Sequence, residues 1–127
     1  MVREIEFRGK SENKWIYSKG YKQSKETIAL FNDDWEWRAI EPSTLGQYTG
    51  LKDKNGTKIY EGDVLIGDIP ELVSSQNLIG IVEYEKSAFI VKFPNRKSWK
   101  IQKVGFCSFI NYRVIGNIYD NNELIKE

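Results

Sequence analysis

The chain has 127 residues, 40% hydrophobic and 13% aromatic, with three prolines and a formal charge of +1. That length suits one domain, residues 1–127, and that composition excludes a long disordered chain. The lack of any histidine removes the commonest general base and neutral metal ligand. A single cysteine excludes an internal disulfide and any Cys/His zinc site.

In chain order the dominant period is two. "REIEFRG" sets Ile5 and Phe7 on one face, and "KWIYSKG" does the same with Trp15 and Tyr17. "ETIALF" and "EWRAIE" are short, β-prone and bounded by polar residues. Pro42 and the following Ser43 and Thr44 allow one helical turn. "LIGIVEYE" (78–85) and "AFIVKFP" (88–94) read as consecutive strands joined tightly at Glu85-Lys86-Ser87. "YRVIGNIY" is a further strand whose Gly116 marks a bulge. "YDNNELIKE" predicts a short C-terminal helix capped by Asp120 or Asn121. The N-terminus carries alternating charge and no apolar signal core, and no apolar run approaches the roughly 18 residues of a membrane-spanning helix. Cys107 sits among Phe106, Phe109 and Ile110, as a buried thiol would in a reducing compartment. The expectation is a cytoplasmic, soluble, mainly β protein of many short antiparallel strands, partly barrel-like with SH3-like character.

Between these strands lies "QYTGLKDKNGTKIYEGDVL", residues 47–65. Asn55-Gly56 predicts a hairpin with a type I′ turn, which needs positive φ at both residues. Gly62 offers permissive backbone angles at a bend, and the side chain of Asp63 can bond nearby amides. The chain resembles the YopX protein family, found largely in bacteriophages and prophages. "REIEFRGK", the central stretch and "VIGNIYDNNELI" carry that likeness. In the centre it rests on Gln47, Tyr48, Thr49, Gly50, Leu51, Asp53, Asn55, Gly56, Ile59, Tyr60, Glu61, Gly62 and Asp63. Segments 20–35 and 68–110 show no family pattern. The resemblance implies a β-rich fold, with these motif residues mainly structural. It implies no catalytic residue and no cofactor.

The chemistry available is that of a binding protein. Asp33-Asp34 reads as a solvated turn, and Glu61 and Asp63 are the remaining carboxylate pair a hard cation would use; no metal site is expected. "GLKDKNG" lacks the ending and the helix of a phosphate loop. Between Glu85 and Asp120 there is no acid but seven cations, leaving twelve basic and eighteen acidic residues elsewhere. Within it, Lys92, Arg96, Lys97, Lys100 and Lys103 interleave with Phe93 and Trp99, a pattern that suits single-stranded nucleic acid. A solvated basic hairpin is the preferred reading of it. Trp35 and Trp37, two apart, would share a strand face and serve as core or as an oligomer contact. The expectation is a non-enzymatic phage or prophage accessory protein that binds another protein or itself, the alternative being nucleic-acid binding through 92–103.

Overall fold

Period-two alternation broken by short polar turns yields twelve strands among the described residues, all paired antiparallel where their register is resolved. The computed structural model describes residues 4–68, 78–94, 103–106 and 109–125. The fold is mainly β, as the alternation predicts. The chain divides into two compact units, Met1–Gly50 and Leu51–Glu127.

In the first unit, β1 (Phe7–Ser11) and β2 (Lys14–Ser18) form a hairpin closed by Glu12 and Asn13, both at positive φ. Those two angles define the I′-like turn that matches strand twist. β1 also pairs with β6 (Gly46–Lys52), placing Phe7 opposite Gln47. A three-stranded meander follows, with β3 (Tyr21–Gln23), β4 (Ile28–Phe31) and β5 (Trp37–Ile40). Leu30 and Ile40 are its buried residues. A side chain at position 9 would run into Ile40, which would have to shift to admit it, so glycine lets β1 pass close there. Pro42–Thr44 makes the expected 3₁₀ turn, and the Thr44 hydroxyl accepts the Lys10 N–H at 2.8 Å.

The second unit is a five-stranded sheet of order β11-β10-β9-β8-β12. Its strands are β8 (Asp63–Asp68), β9 (Leu78–Glu85), β10 (Ala88–Lys92), β11 (Lys103–Gly105) and β12 (Ile110–Asn117), preceded by β7 (Lys58–Tyr60). Ile59, Leu65, Leu78, Val82, Val91, Phe93 and Phe109 are buried together as one core. Burial of seven such side chains at about 1.5–3 kcal/mol each is the main force holding this unit. Lys86 and Ser87 turn β9 into β10 at positive φ, the tight link the sequence predicts. The register of β12 slips between Val114 and Gly116, which is the expected bulge.

Two local expectations change. Asn55 does not take positive φ, and Gly56 does, at 84°. The turn is therefore a three-residue loop, Lys54-Asn55-Gly56, closed by Asp53 N–H to Thr57 O at 2.8 Å and Gly56 N–H to Asp53 O at 3.0 Å. Asp53 is the reason: its Oδ1 accepts both Asn55 N–H (2.8 Å) and Thr57 N–H (2.9 Å), fixing a type I turn followed by a left-handed glycine. The predicted terminal helix is only a 3₁₀ turn, Asn122–Ile125. Its capping residues are engaged elsewhere, since Asn121 Oδ1 accepts Asn117 N–H and Asn117 Oδ1 accepts Tyr119 and Asp120 N–H. Among the described residues no helix is long and apolar enough to cross a membrane.

Candidate docking site

The site with the most distinctive chemistry lies at the β4–β5 turn of the first unit. Asn32 opens the turn as Asp53 opens the other. Its Oδ1 accepts Asp34 and Glu36 N–H, each at 3.0 Å, while its own N–H donates to Glu36 O at 2.8 Å. Trp35 N–H donates to Asn32 O at 3.2 Å, which completes a type I turn over Asp33-Asp34. The next position must be left-handed, and the residue there is Trp35, at φ 65°. An L side chain in that region costs on the order of 1–2 kcal/mol. Burial does not repay it, because Trp35 is 84% exposed.

Around this turn is a cleft of about 570 Å³. Its aromatic wall is Tyr17 from β2, Phe31 from the end of β4, Trp35 from the turn and Trp37 from β5. Phe31 meets Trp35 and Trp37 edge to face, at centroid distances of 6.0 and 5.1 Å. Trp37 and Tyr17 are 44% and 47% exposed. Phe31 anchors the cluster because it is the last paired residue of β4, directly opposite Trp37. Ser18 forms the floor: its hydroxyl donates to Gly20 O at 2.6 Å and accepts Phe31 N–H at 3.2 Å, tying β2 to β4. The rim is charged. Lys19 Nζ lies 3.2 Å from Glu4 Oε2 and 3.9 Å from Glu6 Oε1. Lys22 Nζ stands 4.6 Å from the centroid of the Trp37 ring.

Trp35 and Trp37 thus meet at one site, but not as neighbours on a strand face; only Trp37 is in a strand. Neither forms the core of this unit. Tyr17 and Phe31 line the same site, and no spacing rule links them to Trp35. Their one visible signal was Asn32-Asp33-Asp34, a turn signature directly after an apolar strand.

The family-motif residues have a different role. Asp53 is almost fully buried, and its Oδ2 accepts Val114 N–H at 2.9 Å, so one carboxylate joins the 53–57 turn to β12. Burial alone would raise its pKa. The N–H groups of Val114, Thr57 and Asn55, with the nearby Lys54 ammonium, outweigh that and hold the carboxyl below its ordinary 3.8. Asp63 is buried, with Oδ2 accepting Tyr60 N–H at 2.8 Å. Gly62, at φ 88°, donates to Val82 O and accepts Ile118 N–H, both at 2.9 Å. Tyr48 and Tyr60 are buried, Gln47, Thr49 and Glu61 half-buried, and Gly50 and Asn55 exposed.

In the basic stretch, Lys92 is exposed on β10 and pairs in register with Lys103 of β11. Phe93 is buried against Phe109, edge to face at 5.4 Å, and is not free to stack on a base. Arg96, Lys97, Trp99, Lys100 and Cys107 lie outside the described residues.

Comparison with known proteins gives the fold and the family. A crystal structure of protein EF1440 from Enterococcus faecalis resembles the chain with a TM-score of 0.54 at 24% identity, over 96% of this chain and 98% of that one. At that identity the likeness speaks for the fold alone. No curated protein matches the chain. The family model described as YopX protein matches residues 3–126, nearly the whole length, so the chain belongs to the YopX protein family.

Proposed function

We propose that this protein is a non-enzymatic binding module of phage or prophage origin, working in the bacterial cytoplasm, and that it docks a partner protein through the Tyr17–Trp37 cleft. The observation that carries this reading is Trp35, an exposed aromatic held at a left-handed turn position that glycine would occupy at lower cost. Exposed tryptophan and tyrosine around a preformed cleft match the composition of binding hot spots. Self-association through the same face would use the same residues.

Site-specific photo-crosslinking in the bacterial cell tests it. Benzoylphenylalanine is placed at position 35 and, as a control, at Tyr84, another exposed aromatic on β9. The reading expects a discrete adduct from position 35 and none from position 84. An adduct of twice the chain's mass would identify a second copy as the occupant. Equal, diffuse labelling at both positions would overturn docking at the cleft. Oligonucleotide binding that falls steeply with salt and disappears in the Lys97→Ala/Lys100→Ala double variant would instead move function to the basic stretch.

A further inference from the structure

We infer that the docking cleft accepts a cation, namely an arginine or lysine side chain carried on an extended basic segment of the partner protein. This rests on the docking reading and adds the chemistry of the occupant. Three observations converge on it.

The first is the behaviour of the aromatic wall toward the chain's own cations. Lys22 sets its ammonium over the Trp37 ring at 4.6 Å. One ring of the wall, Trp37, thus already holds a cation over a π face, and the Trp35 ring beside it is 84% exposed.

The second is charge. Lys19 is held by Glu4 and Glu6, and Arg38 by Glu36 at 3.4 Å. Asp33 and Asp34, on the turn that carries Trp35, pair with no cation among the described residues. Against Lys19, Lys22 and Arg38 stand the carboxylates of Glu4, Glu6, Asp33, Asp34 and Glu36, which leave an excess of negative charge beside exposed indole. A phosphate backbone or an acidic peptide would be repelled there. A neutral sugar would leave both carboxylates uncompensated, whereas a guanidinium can face a ring and bridge a carboxylate at once.

The third is size. About 570 Å³ falls within the range of small-molecule and side-chain pockets and holds one long side chain with its flanking backbone. Ser18, the last residue of β2, bonds Gly20 O and the Phe31 N–H of β4 and so fixes the floor in advance.

The test is calorimetric titration of the intact protein with three end-blocked decapeptides, in which glycine and serine alternate with arginine, glutamine or glutamate. Tryptophan emission is followed in parallel. Only the arginine peptide should bind, shifting the emission to the blue, and it should bind more weakly at 0.5 M salt than at 0.05 M. Trp35→Gly should weaken it about tenfold, and Asp33→Asn/Asp34→Asn about fivefold. The double variant keeps every aromatic in place, so its loss cannot come from a disturbed turn, and circular dichroism controls for folding. Equal Trp35-dependent binding of the glutamine or glutamate peptide would overturn the cationic occupant while leaving a docking cleft intact. Absence of binding by all three peptides, with a discrete crosslink at position 35, would also overturn the cation alone. Absence of both would remove the cleft as a docking site.

Discussion

Two turns of this protein share one backbone design and differ most sharply at the left-handed position. At 32–36 and at 53–57 an Asn or Asp opens the turn, its Oδ1 accepting the N–H groups two and four residues on. Each closes with the same pair of backbone hydrogen bonds. Each needs a left-handed residue in fourth place. The second turn has Gly56 there, with open space around it, and the first has Trp35. Where glycine sits, the turn serves the fold, and the Asp53 carboxylate reaches across to β12. Where tryptophan sits, strain is accepted to put an indole into solvent over a cleft. One geometry thus does two jobs, and the residue at the left-handed position distinguishes them.

The largest expected effect lies in the structural turn. Asp53→Ala removes the acceptor for three backbone N–H groups, of Asn55, Thr57 and Val114. Each bond to the carboxylate contributes about 1 kcal/mol, since Asn55 and Thr57 are exposed and Val114 is half-buried, so a loss of about 3 kcal/mol is expected from urea unfolding. The matching change, Asn32→Ala, removes two bonds in an exposed turn and should cost about 1 kcal/mol. If the two variants lose equal stability, the turns do not differ in structural weight as argued.

Swapping the left-handed residues sharpens the contrast. Gly56→Ala should cost about 1–2 kcal/mol, because alanine pays the left-handed penalty that glycine avoids. Trp35→Gly relieves that penalty. It also forfeits one edge contact with Phe31 and gains chain entropy in the unfolded state, so its net change should stay within about 1 kcal/mol. Trp35 would then be a residue whose removal spares the fold and weakens docking. A loss of more than about 2 kcal/mol on Trp35→Gly would make the tryptophan structural and undercut the docking proposal.

How far these turns could be read in advance depends on what fixes each one. Lys86-Ser87 and the Gly116 bulge were legible because short-range backbone chemistry decides them. Asn55-Gly56 was legible as a turn but not as a type, since the type depends on Asp53, two residues before the dipeptide. The spacing of two between Trp35 and Trp37 predicts a shared strand face. A left-handed tryptophan contradicts local preference, so only the hydrogen bonds of Asn32 reveal it. Phe93 interleaves with lysines in sequence as an exposed stacking residue would. Burial against Phe109 is a tertiary fact that no local pattern contains. The terminal helix failed for a similar reason: the Asn121 side chain accepts the Asn117 N–H, and that of Asn117 accepts the Tyr119 and Asp120 N–H, instead of capping a helix.

The smallest expected effects are in the pH dependence of the structural turn. Asp53 ionises below its ordinary 3.8 in the folded protein, so the folded state binds fewer protons there than the unfolded chain. Its contribution to stability is complete above about pH 4 and is lost as pH falls from there through the depressed folded value. Other carboxylates titrate in the same range, so the measured quantity is the difference between wild type and Asp53→Asn. The variant's stability should fall less steeply below pH 4, and parallel curves would mean that Asp53 is not held ionised by its three N–H donors. The same substitution reaches Tyr112. Burial raises its phenol above 10.0, and the negative charge of Asp53 raises it further. That group stabilises the fold up to its ordinary pKa, and the contribution is lost as pH rises through the raised one. Removing the Asp53 charge should lower the Tyr112 pKa only in part, since burial remains. Carbon-13 labelling of the tyrosine rings, followed by NMR to high pH, would resolve it among the seven tyrosines. An unchanged Tyr112 would show that the carboxylate's influence ends at its hydrogen bonds.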